Sequence, residues 1–176
     1  MPACARTSTV EGSAPVDATG GGPTSLAVHI ASSADAEAVG QLLHDFNTEF
    51  DGPTPGPERL AERIRRMLAT GDTTVLLGGS GPDGVAVLRF RAAIWSDALE
   101  CYLAELYVVP RRRGRGLGRA LLETAMEVAR ARGADHMDLG TSEDDIAARS
   151  LYESLGFINR EGGRDGPVTF FYERDL

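Results

Sequence analysis

Apolar positions along the chain change period several times, and each change marks a new element. Leu26-Ala27-Val28-His29-Ile30 alternates as a strand does. Val39, Leu42, Leu43, Phe46 and Phe50 then recur at helical spacing, with Ser32 or Ser33 as the cap and Asp35 and Glu37 in the first turn. The breaker-rich stretch 51–57 predicts a loop, and Leu60, Ile64, Met67 and Leu68 place a second amphipathic helix over about 58–69. Strands are predicted over 73–77 and 85–94, joined by a Gly-Pro-Asp-Gly turn at 81–84, and over 100–110. A helix over about 116–132 follows, then a strand around Met137 and Leu139, and a helix over 146–155 that Gly156 stops. Val168 to Tyr172 reads as a final strand. This order predicts one α+β domain, or α/β with a mixed sheet, over 25–176. The Ala/Gly/Ser/Thr/Pro-rich stretch 1–24 has no period and is expected to be a disordered leader.

Composition narrows the function. The 176 residues are 42% apolar and 25% charged, enough for a core without disulfides or metals. No apolar run approaches a membrane span, and no apolar segment follows a basic start as in a secretory signal. Cys4 and Cys101 match no metal spacing and read as free thiols of a reducing compartment, hence a cytoplasmic protein with no metal site. The net charge of −8 argues against general nucleic-acid binding. All 18 basic residues are arginine, and five of them lie between Arg111 and Arg119, so one basic patch sits on an acidic molecule. Such a patch suits an anionic ligand.

The patch lies in Val108-Val109-Pro110-Arg111-Arg112-Arg113-Gly114-Arg115-Gly116-Leu117-Gly118-Arg119, a strand, a glycine-rich turn and a helix opening. The first N–H groups of a helix have no internal partner and the dipole is positive there, so a phosphate is held readily. Gly114, Gly116 and Gly118 let a pyrophosphate approach those groups, and Arg113, Arg115 and Arg119 add forked donors. A nucleotide-binding P-loop is excluded because the chain has no lysine. A dinucleotide fingerprint is disfavoured because the glycines are spaced by two and too little chain follows.

The segment Arg111-x-x-Gly114-x-Gly116 resembles the acyl-CoA loop of the GNAT superfamily of N-acetyltransferases, Arg/Gln-x-x-Gly-x-Gly/Ala. A second motif of that family, Asn-x-x-Ala-x-x-Leu-Tyr-x-x-x-Gly-Phe, is matched from Asp145 to Phe157 except that Asp145 replaces the leading Asn. The resemblance extends over roughly residues 26–174. It implies a mixed, mostly antiparallel sheet, helices on both faces and a splayed pair of central parallel strands. The implied activity is transfer of an acetyl group from acetyl-CoA to a primary amine of a small molecule, by direct attack in a ternary complex.

The same resemblance distributes roles. Tyr107, Val108 and Val109 would hold the pantetheine arm through their backbone, and the stretch Arg113, Gly114, Arg115, Gly116, Leu117, Gly118 and Arg119 the pyrophosphate. Tyr152 matches the tyrosine that protonates the departing thiolate, Ala148 belongs to its motif, and Asp145 stands where an amide usually contacts CoA. Glu105 is the candidate base, with Glu100 as the alternative. Acceptor contacts map to Phe46, Phe50, Trp95 and Glu100. Aminoglycosides, polyamines, amino acids and peptide amines all remain open as acceptors. A protein or peptide acetyltransferase and a non-catalytic acyl-CoA-binding module are the other readings. Dimers are frequent in the family.

Overall fold

The computed structural model describes residues 26–175. The leader 1–24 and Cys4 lie outside the described residues. The described elements are β1 (Val28–Ile30), α1 (Ala36–Glu49), α2 (Pro57–Thr70), β2 (Thr73–Gly78), β3 (Gly84–Ala92), β4 (Leu99–Val108), α3 (Leu117–Ala131), β5 (Ala134–Leu139) and α4 (Ile146–Ser154). They form one five-stranded sheet in the order β1-β2-β3-β4-β5. The first four strands are antiparallel to their neighbours, and β5 runs parallel to β4. Helices cover both faces. On one, α1 and α2 bury Val39, Leu42, Phe46 and Ile64 against Val75, Val85, Val87 and Tyr107. On the other, α3 buries Leu117, Leu121, Leu122 and Ala125 against Leu76, Leu88, Leu103 and Leu106. A strand buried on both faces cannot show an apolar-polar alternation, which is why 73–78 reads as an unbroken run.

Two irregularities of β4 shape the site. Val87 faces Glu105 and Leu88 faces Leu103, so Ala104 has no partner on β3 and forms a bulge. Pairing with β5 ends at Leu103 and Leu139, so β4 runs on to Val108 with its far edge open. This is the expected splay of a parallel pair, but among the described residues the pair lies at the edge of the sheet, with β5 outermost, rather than at its centre.

α3 is seated by glycine. Gly78 and Gly84 face each other across β2 and β3. A Cβ on Gly78 would stand 2.9 Å from Leu117 Cδ1, and one on Gly84 would stand 2.9 Å from Leu121 Cδ1. The two glycines therefore make a notch for the first turns of α3.

Three local expectations change. Ser32 caps a short 3-10 turn, Ser33–Asp35, rather than α1 itself, and Asp35 completes a capping box before α1 begins at Ala36. Phe50 lies just past the helix end. Val168 to Tyr172 is not a strand. Val168 makes one isolated antiparallel bridge to Arg160, and Phe170, Phe171 and Tyr172 are exposed. The β-forming residues are present, but β propensity measures fit to a pleated neighbour, and these residues have none beyond that bridge.

Candidate active site

The glycine-rich turn and α3 meet at Gly116, which has a φ of 87° and no side-chain cap over the helix start. The conformation favours glycine, as does the φ of 70° at Gly114. A Cβ at Gly114 would meet nothing within 4 Å, and at Gly116 only Leu26 Cδ1 at 3.7 Å. The turn is therefore an open cradle over a positive helix end whose first N–H groups lack internal acceptors. Gly118 faces inward, where a Cβ would stand 3.6 Å from Leu151 of α4.

The five arginines do not act alike. Arg111 Nη2 and Arg112 Nε reach the buried Asp83 carboxylate at 3.0 and 3.3 Å. Arg113 turns away from the cradle and grips Glu49 with both terminal nitrogens, at 2.7 and 2.8 Å. Arg119 donates to Ser154 at 2.7 Å and lies 3.6 Å from Glu123. Arg115 stands exposed in the cradle with no recorded partner among the described residues. Of the three guanidiniums expected at phosphate, Arg115 is thus uncommitted, Arg119 is lightly held and Arg113 is engaged elsewhere. Asp83 and Glu49 as anchors of this turn were missed in the sequence. Asp83 reads there as an ordinary turn former, and Glu49 as a candidate acceptor contact near the end of the first helix.

Glu105 lies beside the bulge, two residues past the point where β5 leaves. Its Oε2 is buried without a hydrogen-bond partner, and burial pushes the carboxyl up to about 8. Glu100 is different. Arg91 Nε binds it at 2.6 Å, and Arg91 also lies 3.6 Å from Asp138, which makes a charged ladder across β3, β4 and β5. At about 3.3 Å per residue, Glu100 is roughly 16 Å down the strand from Glu105. The unpaired acid at the splay is Glu105.

Tyr152 is buried on the α3 side, its ring edge-on to Phe157 with centroids 6.0 Å apart. Asp145 caps α4, accepting from the Ala148 N–H at 3.0 Å. Its carboxylate thus does locally what an Asn would do as an N-cap. Tyr107 is 2% exposed; burial, and then Glu49 beside it, pushes its phenol up to about 12. The acceptor candidates are scattered. Phe46 is core, stacked at 5.2 Å on Tyr107, and Phe50 is edge-on to Phe46 at 5.4 Å. Trp95 is 94% exposed in the hairpin between β3 and β4, on the order of 30 Å along β4 from the cradle.

A splayed strand pair, a glycine cradle at a helix start and a buried tyrosine behind it stand together on this sheet. Residues 39–157 match the model of the acetyltransferase (GNAT) family. The chain belongs to the GNAT family. Acetyltransferases of that family use acetyl-CoA as co-substrate. A mycothiol acetyltransferase of Thermobispora bispora is 48% identical over 138 residues, covering 75% of this chain and 41% of that protein. The chain spans less than half the length of the mycothiol acetyltransferases it matches. Among solved structures, a nominal acetyltransferase of Arthrobacter sp. FB24 superposes with a TM-score of 0.78 and 42% identity, covering 94% of this chain and all of that one. An aminoglycoside acetyltransferase from an uncultured soil metagenomic sample gives 0.64 and 26%, over 81% of this chain and 98% of that one. No helix among the described residues is long and apolar enough to cross a membrane, and no group of three His, Cys, Asp or Glu among them could hold a metal.

Proposed function

We propose that this GNAT protein transfers the acetyl group of acetyl-CoA to a primary amine of a small molecule, by direct attack within a ternary complex. The observation that carries the reading is Glu105, a buried carboxyl without a partner at Oε2, set where β4 and β5 part. An amine reaches the site as an ammonium and must lose a proton before it can attack. A carboxyl raised to about 8 is matched to that transfer near neutral pH.

In this reading the pyrophosphate rests on the N–H groups of the cradle and α3, with Arg115 and Arg119 as side-chain donors. The pantetheine arm lies along the open edge of β4, where Val108 presents its backbone, whereas the Val109 N–H is bound on the β3 side and Tyr107 shares that orientation. Glu105 takes one proton from the ammonium, directly or through water. The freed nitrogen attacks the thioester carbonyl, whose oxygen gains negative charge that the open β4 backbone answers. The C–S bond then breaks and the sulfur leaves as a thiolate. Tyr152 protonates it, a phenol and a thiolate being close enough in basicity for the exchange. The products are the acetamide and free CoA. One ammonium proton leaves through Glu105 to solvent, and a second replaces the one Tyr152 gave to sulfur.

Two observations favour a small acceptor. Two of the relatives above are named for mycothiol and for aminoglycosides. The ladder farther down β4, Glu100 and Asp138 with one arginine between them, leaves a net negative charge on the protein that draws a cationic amine by long-range attraction. The test is thiol release from acetyl-CoA across aminoglycosides, amino sugars, polyamines, amino acids and short peptides. Turnover with a small amine supports the reading. Turnover confined to peptides, or acetyl-CoA binding without any turnover, would refute it.

A further inference from the structure

α1 ends on a carboxylate, Glu49, with no basic residue in its last turn. A negative charge there opposes the helix dipole, so the placement needs another cause. Three donors converge on it. Arg113 Nη1 binds Oε1 at 2.7 Å, Arg113 Nη2 binds Oε2 at 2.8 Å, and the Tyr107 hydroxyl donates to Oε2 at 3.1 Å. Both charged side chains are largely covered, at 19% and 23% exposure, so water screens the pair weakly. The Arg113 guanidinium also lies 5.6 Å from the centre of the Tyr107 ring.

The third nitrogen of Arg113 has a specific target. Its Nε binds the Val108 carbonyl at 2.9 Å. The Val109 N–H is turned to β3, where it meets Asp83 O at 2.9 Å. Backbone groups of successive strand residues point to opposite edges, so the Val108 carbonyl faces the edge that β5 vacates after Leu103. Arg113 therefore sits at the mouth of the splay, between the end of β4 and the cradle that begins one residue later.

We propose that Glu49 is a positioning residue for the donor: by holding Arg113 on the Val108 carbonyl it sets the end of β4 and the start of the cradle in binding geometry. Glu49 thereby links α1 to the acetyl-CoA site, without touching acetyl-CoA. The inference rests on the reading of the cradle as that site. It also changes the role of Arg113, from phosphate ligand to strut. Asp83 holds Arg111 and Arg112 from the other side, so Arg113 is the member of the run whose hold depends on α1.

Acetyl-CoA affinity by calorimetry, steady-state kinetics and Tm together test this. Glu49→Gln keeps the shape and removes the charge. It should weaken acetyl-CoA binding about tenfold, the loss of one charge-assisted pair, with kcat at saturation within about twofold of wild type. Arg113→Gln should do the same, and the double variant should be no worse than the worse single one. Arg113→Lys keeps the charge but not the fork and should fall between, and it carries the test if Glu49→Gln does not fold. Unchanged affinity in Glu49→Gln, penalties that add in the double variant, or a Tm loss with affinity intact would each overturn the proposal. A wild-type protein that binds no acetyl-CoA would overturn the reading of the site itself, a separate and visible failure.

Discussion

Glu105 owes its chemistry to its surroundings rather than to its type. Burial raises its carboxyl from an ordinary 4.5 to about 8. A base must be ionised to work, so kcat/KM should climb with pH and level off above about 8. Glu105→Gln should flatten that limb and lower kcat/KM about 100-fold. A limb that persists in the variant would move the base elsewhere. Stability carries the opposite signature. The folded state keeps the proton up to about 8 while the unfolded chain releases it near 4.5, so folding favours the protonated form. This contribution is fully present below the unfolded value and is lost as pH rises through the folded one. Wild-type Tm should therefore fall relative to Glu105→Gln between about pH 4.5 and 8, and run parallel to it outside that window. Tyr152 makes a simpler case. Tyr152→Phe keeps the ring against Phe157 and removes the proton, so kcat should drop about 100-fold while acetyl-CoA affinity changes little. Unchanged kcat would exclude Tyr152 as the acid.

Elements carry information that single residues do not. The geometry of the turn was legible because it is local: a strand end, three glycines and a helix start within twelve residues. Gly116→Trp tests its reading as a cradle. A side chain there meets little protein, and the φ of 87° costs about 1–2 kcal/mol, so the fold should survive while the cradle is filled. Calorimetry should find acetyl-CoA binding lost with circular dichroism unchanged; retained binding would place the phosphates elsewhere. The helices and the first five strands were also legible, from their periodicity or, where a strand is buried on both faces, from a run between breaker residues. What was not legible depends on partners distant in sequence. The choice between Glu105 and Glu100 turns on Arg91, which alternation alone places beside either of them. Arg113 binding Glu49 joins residues 64 apart, and no local pattern announces it. The final strand failed for the same reason in reverse. The segment 168–172 has strand residues, but its pairing is decided by what lies next to it.

At the scale of the whole molecule, the position of the first turn of α3 is set from beneath, by the hairpin of β2 and β3. Leu117 and Leu121 seat that end in the notch of Gly78 and Gly84. Fold and site are thus coupled through packing as well as through charge. Gly84→Val would put a Cβ 2.9 Å from Leu121 Cδ1 and 3.0 Å from the Tyr107 carbonyl oxygen, and the backbone atom cannot yield. α3 must lift instead. Overpacking of this kind costs about 1–3 kcal/mol, or roughly 3–10 °C in Tm for a chain of this size. If the notch positions the cradle, the lift also moves the helix N–H groups away from the phosphates, and acetyl-CoA affinity falls with Tm. A control must lower Tm without touching the start of α3. Gly71→Ala does so, since Gly71 ends α2 at a φ of 78° with nothing within 4 Å of its Cβ, a strain of about 1 kcal/mol, and its carbonyl meets only Arg132 at the far end of α3. Calorimetry on both variants well below their Tm should find weakened binding in Gly84→Val alone. Equal affinity in the two would mean that the cradle holds its geometry whatever α3 does, by its own glycines and by the hold of Asp83 and Glu49 on Arg111, Arg112 and Arg113.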